Sequence, residues 1–335
     1  MTASPAPRCD LCALPDDRDF IALGAAFGTR FLLTVDTEEE FDWNIPFDRE
    51  SRSVTISEAM RRGQGYFRAT GVRPLYLADY PMIDDPVTGP MLAQWVAAGE
   101  ADIGAHCHPW VNPPHEEAVS IRNSFAGNLP EALERAKLTV LRDRITEVTG
   151  RPPLAFRAGR YGAGPNTGAI LCDLGFRVDS SVRSRFSYAG EQGPDFSGMP
   201  VRPYRVGGLV ELPLSTAWCG LLRGAGDSLQ RLIDGGGIAA GAMARSGLLQ
   251  RIPLTPEGVS PAEAKRAIDR LLGDGLRLLV FSFHSPTLAP GHTPYVRNDD
   301  DLNSFWRWWD DVLAHLALRG VAPASLDEIL SSLPA

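Results

Sequence analysis

Short apolar runs along the chain alternate with longer segments in which apolar residues recur at helical spacing. The run from Arg30 to Val35 is rich in Phe, Leu and Val, which is typical of a buried strand. Further strands are predicted at 74–77, 101–108, 154–157, 177–179, 209–212 and 277–283. Helices are predicted at 57–70, 91–98, 130–149, 166–174, 261–272 and 300–317. Because strands that alternate with helices pair in parallel, the pattern predicts an α/β fold with a parallel sheet.

The chain length of 335 residues accommodates one large α/β barrel or two ordinary domains, and we favour one domain. Residues 1–28, with many Pro, Ala and Asp, are predicted to form an irregular N-terminal arm. The barrel is expected to span 29–330, with a Gly/Ala-rich insertion around 224–247. The pattern leaves open whether this insertion is a mobile loop or a pair of helices.

Composition excludes several classes of function. A hydrophobic fraction of 44% and a charged fraction of 22% are ordinary for a globular protein with a substantial core. The net charge of −8 argues against binding to nucleic acid, and no cluster of basic residues offsets it. We find neither an export signal nor an apolar run of about 18 residues, and therefore expect a cytoplasmic protein without a membrane span. Five cysteines, an odd count, fit reduced thiols better than disulfides.

Two histidines one residue apart, His106 and His108, are the strongest single signal for chemistry. Alternate side chains of a strand point to the same face, so both imidazoles would point one way and Cys107 the other. That arrangement can chelate a metal ion. The alternative is that both histidines are structural and that Pro109 and Trp110 simply end the strand.

A run of acids, 36–40, ends the first predicted strand. One carboxylate, Asp36 or Glu38, would complete a set of three metal ligands with the histidines. Three protein ligands and one open position are the arrangement of a hydrolytic metal site, in which water is activated and the substrate carbonyl is polarised. A second carboxylate outside the ligand set would serve as general base. The alternative for such a run is a solvated turn.

Two further polar groups follow predicted strands. Arg157 lies next to Gly159 and could hold a catalytic carboxylate ionised and oriented, although a surface turn explains this segment equally well. His284 ends a late apolar strand, which suits a general acid that protonates a leaving amine. Carboxylates, paired histidines, arginine and histidine thus each end a different strand, which is the expected layout of a barrel active site.

The order of the segments 34–38, 103–110 and 156–160, followed by His284, resembles that of the polysaccharide-deacetylase superfamily, also called NodB-homology or carbohydrate esterase 4 proteins. The chain looks most like the WalW-like branch. The resemblance runs from about Arg30 to about Leu302. It implies a distorted (β/α)7 barrel that removes an acyl group from an N-acylated sugar with the help of a divalent metal ion.

The resemblance also implies a role for each site residue. Asp36 matches the general base, Arg157 the residue that orients the base, and His284 the general acid. For the metal site, His106 matches the first histidine ligand and Glu38 lies near the position of an aspartate ligand. The expected ion is Zn²⁺, with Co²⁺, Mn²⁺ or Ni²⁺ as alternatives. The backbone N–H of Tyr161 would stabilise the oxyanion.

Two departures from the family pattern bear on the metal site. The usual second histidine follows four residues after the first, and Trp110 occupies that position here. Either His108 takes its place at a shorter spacing or His115 is the third ligand. Glu38 replaces an aspartate, which adds a methylene group and changes the reach of the carboxylate.

The leading hypothesis is a deacetylase that cleaves a linear C–N amide bond and removes an acetyl or formyl group from an N-acylated sugar, such as a precursor of envelope polysaccharide. Trp43 and Trp110 are candidates to stack on the sugar ring, although core packing explains them equally well, and Arg160 is a candidate substrate contact. One alternative is a hydrolase of a non-sugar amide with the same metal site. Another is an inactive saccharide-binding relative. The oligomeric state is not predicted.

Overall fold

The computed structural model describes residues 9–42, 45–234, 241, 243 and 246–334. Its strands are mostly buried because helices or loops cover both faces. The strands are β1 Thr29–Thr37, β2 Leu75–Ala78, β3 Asp102–Cys107, β4 Ala155–Ala158, β5 Val178–Asp179, β6 Tyr204–Val206, β7 Leu209–Glu211, β8 Thr216–Cys219, β9 Gln250–Pro253, β10 Leu278–His284 and β11 Val321–Pro323.

Helices follow most of the parallel strands. They are α1 Ser57–Ala69, α2 Tyr80–Asp84, α3 Thr88–Ala97, α4 Glu131–Thr149, α5 Thr167–Asp173, α6 Gly226–Asp234, α7 Pro261–Gly273, α8 Asp299–Leu318 and α9 Leu326–Ser331. Local sequence explains several of their starts. Ser260 and Glu263 form a capping box at the start of α7, and the side chain of Asn298 accepts a hydrogen bond at the start of α8. None of the described helices has the length and apolarity needed to cross a membrane.

The main sheet has seven parallel strands in the order β10-β1-β2-β3-β4-β5-β7, with antiparallel β6 at one end and β11 beside β1. The sheet curls until the segment after β7 meets β10. There Ser215 N donates to Val280 O at 3.2 Å and Ser215 Oγ accepts from Val280 N at 2.9 Å. This curled sheet confirms the predicted α/β fold of the distorted (β/α)7 type.

The period-two alternation of the strands divides the core into two regions. In β1, Phe31, Leu33 and Val35 pack towards the helices, whereas Leu32 faces the inside of the curl. The same division holds in β10, where Phe281 and Phe283 point outwards. The inner region is filled at one end by side chains of the N-terminal arm and α9, which are Ile21, Phe27, Leu326, Ile329 and Leu330. Inward-facing residues nearer the strands' C-terminal ends are therefore free to form a polar site.

The predicted elements agree with the structure in place and type, with shifts of a few residues at their ends. The helix predicted at 91–98 begins earlier, at Thr88, and the short elements α2, β6, β8, β9, β11 and α9 were not predicted. The arm predicted at 1–28 is irregular from residue 9 onwards, yet Leu11, Ile21 and Phe27 are buried. The insertion around 224–247 begins with α6, and most of 235–245 lies outside the described residues. The domain boundaries stay a prediction.

A buried acid on α4, Glu134, makes the free energy of unfolding depend on pH. Glu134 is 1% exposed, accepts a hydrogen bond from Thr167 Oγ1, and has a second oxygen without a hydrogen-bond partner within the described residues. Burial raises the pKa of Glu134 to about 7. The folded protein therefore holds a proton that the unfolded chain releases at a lower pH.

We expect Glu134→Gln to stabilise the protein above pH 7 and to have little effect near pH 4. The wild-type free energy of unfolding falls as pH rises from the unfolded pKa, about 4.3, to the folded pKa, because only the folded state keeps the proton there. A neutral amide avoids this loss, which amounts to up to about 3 kcal/mol. Urea unfolding of both proteins at several pH values measures the difference.

The control variant is Glu131→Gln, which neutralises an exposed acid on the same helix. We expect its effect on the free energy of unfolding to be small at every pH. An effect of Glu134→Gln that is the same at low and high pH would contradict the prediction.

Candidate metal and catalytic site

The predicted site residues meet at the C-terminal ends of β1, β3, β4 and β10. The strand register places Asp36 beside His284 and His106 beside Arg157. These side chains have the strand parity of the inner face. Leu32 lies four positions before Asp36, Val280 four before His284 and Ala155 two before Arg157, and all three belong to the inner core. Parallel strands end at the same edge of a sheet, so the site follows from topology and alternation together.

Three side chains converge on one point: Glu38, His106 and His108. The Nε2 atoms of the two histidines are 3.1 Å apart. Glu38 Oε2 lies 3.5 Å from His106 Nε2 and 3.3 Å from His108 Nε2. Ligand atoms bound to a tetrahedral zinc ion at 2.0–2.2 Å lie roughly 3.4 Å from one another. The three separations therefore suit a metal ion of this kind, and all three residues are buried.

Hydrogen bonds from the other ring nitrogens leave both Nε2 atoms suited to metal binding. His106 Nδ1 lies 3.1 Å from the backbone oxygen of Arg157, and His108 Nδ1 lies 2.8 Å from Glu39 Oε2. Each Nδ1 has an acceptor, so it carries the proton, and the Nε2 lone pair points to the common centre. The donor set thus fits Zn²⁺ or a similar divalent ion.

Glu39 holds His108 in position and is itself held by further hydrogen bonds. Its second oxygen accepts a hydrogen bond from Trp110 Nε1 at 3.1 Å, and its backbone N–H donates to Asp79 at 2.9 Å. Burial and the neighbouring Glu39 raise the pKa of Asp79 well above its usual range. Burial alone would raise the pKa of Glu39 too, but the nearby His108 outweighs it and lowers that pKa. The opposite directions of these two shifts favour the charged form of Glu39, which faces His108, and the neutral form of Asp79.

Asp36 lies outside the group of three and is held by Arg157. Arg157 Nη1 donates to Asp36 Oδ1, and Nη2 donates to Thr34 Oγ1 at 2.9 Å. Ser180 anchors the same guanidinium, whose Nε donates to its backbone oxygen at 2.9 Å and whose Nη2 donates to its hydroxyl at 3.0 Å. The other carboxylate oxygen of Asp36 lies 3.8 Å from His284 Nε2. Of the two acids left open by the sequence, Glu38 and not Asp36 therefore belongs to the group that could hold a metal ion.

His284 is oriented by Glu257, which follows β9. His284 Nδ1 lies 2.8 Å from Glu257 Oε2, and the His284 backbone N–H donates to the other oxygen at 3.0 Å. Burial alone would lower the pKa of His284, but the negative charges of Glu257, Glu38 and Asp36 outweigh it and raise the pKa to about 10. The imidazole is therefore protonated at neutral pH, with Nε2 directed towards Asp36.

The loop after β4 approaches the site through an unusual backbone. Arg160 and Tyr161 have φ angles of 54° and 59°, which is the left-handed region that costs free energy for residues other than glycine. Gly159 is required here because a Cβ at this position would collide with the ring of His108 and the backbone oxygen of Cys107. Two consecutive strained residues beside a buried histidine point to a functional constraint.

A cavity of about 650 Å³ opens above these residues. Of the predicted site residues, Asp36, Glu38, His106, His108, Arg160, Tyr161 and His284 line it. Arg160 is held in place by Ser124, to which Nη1 donates at 2.5 Å, and by an ion pair with Glu191. The oxyanion role of Tyr161 and the substrate contact of Arg160 stay predictions.

Three residues that the sequence offered for the site are not found in it: Trp110 and His115 do not line the cavity, and Trp43 lies outside the described residues. Trp110 is 2% exposed and stacks behind His108 with a centroid distance of 4.3 Å, so it does not lie among the cavity-lining residues as a sugar platform. Its ring fills the core below the histidine instead. His115 is exposed and belongs to neither metal-capable group among the described residues, so His108 is the better candidate ligand. Trp43 lies outside the described residues.

Sequence reasoning missed Glu39, Asp79 and Glu257 as support for the site. Glu39 belongs to the acidic run and directly follows Glu38. Neighbouring side chains of an extended chain point to opposite sides, and this could have indicated that the two acids have separate roles. Asp79 follows the second strand and caps α2 by accepting from Met82 N at 2.8 Å. Glu257 lies in a loop without regular structure, and nothing in its sequence neighbourhood signals the contact with His284.

The curled parallel sheet and the site at its strand ends define the class of fold, and comparison with known proteins agrees with it. No protein-family model matches the chain, and no curated protein matches it in sequence. A solved structure of Puue allantoinase is 14% identical, covers 95% of this chain and 97% of that chain, and has a TM-score of 0.53. At this identity the similarity shows the fold alone.

Two other solved structures have lower TM-scores, one named as a polysaccharide deacetylase and one as a carbohydrate esterase 4 family pseudoenzyme. A putative polysaccharide deacetylase from Mycobacterium smegmatis is 18% identical, with 97% of this chain and 98% of that chain covered and a TM-score of 0.43. A carbohydrate esterase 4 family pseudoenzyme from Bacillus anthracis is 10% identical, with 90% and 66% covered and a TM-score of 0.44.

We expect Glu39→Gln to weaken zinc binding by about 10- to 100-fold, the usual effect of removing a carboxylate that supports a metal-binding histidine. The neutral amide no longer holds His108 with a full negative charge. Competition with a chromophoric chelator measures the affinity. The matched control is Glu40→Gln, because the Glu40 carboxylate accepts from Ser53 Oγ at 2.8 Å and lies outside the metal-capable groups of the described residues. Equal zinc affinity of Glu39→Gln and wild type would contradict the prediction.

Proposed function

We propose that this protein is a metal-dependent hydrolase that removes an acetyl or formyl group from an N-acylated sugar. One observation carries the proposal: the cluster of Glu38, His106 and His108 shares a cavity with Asp36 and His284, which have the positions of a base and an acid. These groups serve the two proton transfers of amide hydrolysis. Assignment to the WalW-like branch and to a cytoplasmic compartment stays a prediction.

Zn²⁺ held by Glu38, His106 and His108 would polarise the amide carbonyl and lower the pKa of water. The protein groups perform the remaining tasks. Asp36, fixed by Arg157, accepts a proton from the attacking water. His284, kept protonated by Glu257, donates a proton to the departing amine nitrogen. The backbone N–H of Tyr161 stabilises the negative charge on the carbonyl oxygen.

The cavity supports a sugar as the substrate. Its volume of about 650 Å³ accommodates more than a single small amide. Aromatic side chains line it, including Phe41, Tyr161, Tyr188 and Tyr295. Tyrosine offers a flat apolar face together with a hydroxyl, a combination that suits the faces and hydroxyl groups of a sugar ring. A precursor of envelope polysaccharide is our preferred source of the acylated sugar.

The second candidate function is hydrolysis of a non-sugar amide. The observation that favours it is the fold similarity to a protein named as an allantoinase rather than as a sugar deacetylase. The same metal ligands, base and acid would act in that reaction. An inactive saccharide-binding protein is the non-enzymatic alternative, and it requires no stoichiometric metal ion.

We expect purified protein to bind one zinc ion and to release acetate from an N-acetylated sugar. Asp36→Asn should keep the metal and lose activity by about 10²- to 10⁴-fold, because it removes the base but no ligand. His106→Ala should lose the metal and the activity together. Metal content by elemental analysis and enzymatic determination of acetate measure both properties.

Glu40→Gln serves as the control for metal content, since it neutralises an acid of the same run outside the ligand group. Undiminished acetate release in Asp36→Asn and His106→Ala would contradict the mechanism. Zinc binding without release from any acetylated sugar would favour the non-sugar amide, and failure to bind zinc would favour the saccharide-binding alternative.

We expect Glu257→Gln to shift the alkaline limb of the activity profile to lower pH. The carboxylate raises the pKa of His284, so a neutral amide lowers it, and the protonated acid is lost at a lower pH. Measurement of kcat/KM from pH 6 to 10 detects the shift. Glu131→Gln is the control, because Glu131 is an exposed acid that lines neither cavity. An unchanged alkaline limb in Glu257→Gln would rule out this role.

A further inference from the structure

Arg183 lies where two cavities meet. It follows β5 and pairs with Leu214 through an isolated parallel bridge. It lines the 650 Å³ cavity and also a second cavity of about 80 Å³. Tyr161, His284 and Tyr295 line both cavities as well, so the smaller one is a side pocket next to the proposed general acid.

The guanidinium of Arg183 is held by aromatic side chains and not by a carboxylate. Its Cζ atom lies 5.1 Å from the ring centroid of Tyr161 and 4.0 Å from that of Phe186. Nη1 donates to Tyr188 Oη at 3.1 Å, which is its one side-chain hydrogen bond within the described part of the chain. The same part of the chain contains no acid within 4.0 Å of Arg183, whereas Arg157 and Arg160 each have an acidic partner.

The other charges around the side pocket do not neutralise Arg183. Glu257 lines the pocket, but its carboxylate is engaged by His284 and by Thr287 Oγ1 at 2.6 Å. Asp36, on the main-cavity side, is engaged by Arg157. Both acids are thus held by other side chains. Arg183 lies in a half-buried position without a carboxylate partner among the described residues, where an unpaired charge is costly.

We infer that Arg183 binds an anionic group of the substrate, so that the N-acylated sugar of the proposed function carries a carboxylate or a phosphate. This inference rests on that proposed function. The planar guanidinium offers several parallel N–H donors, which match the oxygens of a carboxylate or phosphate. The tyrosine and phenylalanine rings fix its orientation before the substrate arrives. The acyl group lies at Glu38, His106 and His108 while the anionic group lies at Arg183.

Ligand binding to the zinc-loaded Asp36→Asn variant tests the inference without turnover. The probes are N-acetylglucosamine, its O-carboxyalkyl derivative and its 1-phosphate, and isothermal titration calorimetry gives the affinities. We expect at least one anionic probe to bind about tenfold or more tightly than the neutral sugar, as charge-assisted hydrogen bonds require. The stronger of the two anionic probes identifies carboxylate or phosphate as the group recognised.

Variants of Arg183 in the Asp36→Asn background show whether Arg183 causes the preference for an anionic probe. Arg183→Met should abolish it, and Arg183→Lys should retain part of it, since lysine keeps the charge but not the planar set of donors. The matched control is Arg202→Met, because Arg202 is an exposed arginine over the ring of Phe20 and lines neither cavity. Thermal unfolding establishes that each variant is folded. The preference of the parent protein should also weaken as salt is added.

Equal affinity of the parent protein for the neutral and anionic probes would overturn the inference, and this result does not depend on any Arg183 variant. A preference that survives in Arg183→Met would overturn it too. If the preference depends on Arg183 but wild-type protein releases no acetate, the anion site stands and the deacetylase proposal fails. If wild-type protein releases acetate from the neutral sugar and no preference for an anionic probe is found, the deacetylase proposal stands and the anion site fails.

Discussion

The site depends on Arg157, whose side chain and backbone oxygen fix two different parts of it. The guanidinium crosses the inside of the curl and donates to Asp36, Thr34 and Ser180, and so links β1, β4 and the residue after β5. The backbone oxygen accepts the hydrogen bond that sets the tautomer of His106. The proposed base, Asp36, and a proposed metal-binding nitrogen of His106 are thus held by one residue. Breaking such a buried pair costs about 3–5 kcal/mol, so the geometry of the site is coupled to folding.

Much of the fold and the first layer of the site could be predicted from the sequence. Short apolar runs gave the parallel strands, and strand alternation put His106 and His108 on one face. Short elements such as β11 and α9 lack enough residues to show a period and form only when the sheet and core are present. Glu257 reaches His284 from a loop, and such a contact depends on the path of the chain in space. For Trp110 the sequence left stacking on a sugar ring and core packing open, because its position does not show which side of His108 it covers.

The loop that follows His108 is held by a buried cation. Lys137 on α4 donates to the backbone oxygens of Pro109, Asn112 and Pro114 at 2.9, 2.6 and 2.6 Å and pairs with Glu117 at 3.1 Å. Helical spacing predicts that α4 packs on the sheet, but it does not predict that a lysine replaces an apolar residue there. The ammonium group satisfies carbonyl groups that a proline-rich loop cannot pair with its own N–H donors. The core position of Lys137 therefore serves the loop and, through it, the second histidine.

The shortened histidine spacing follows from the same strand geometry. His108 directly follows Cys107, the last residue of β3, so the alternation of the strand still brings its ring to the side of His106, whereas position 110 lies three residues beyond the strand. Trp110 occupies that further position and stacks on His108, and Gly159 leaves room for the ring on another side. Glu38 has one methylene more than aspartate, and its carboxylate lies within 3.5 Å of both Nε2 atoms. The histidine spacing and the length of the glutamate side chain thus bring Glu38, His106 and His108 within 3.5 Å of one another, and Trp110 and Gly159 shape the space around the His108 ring.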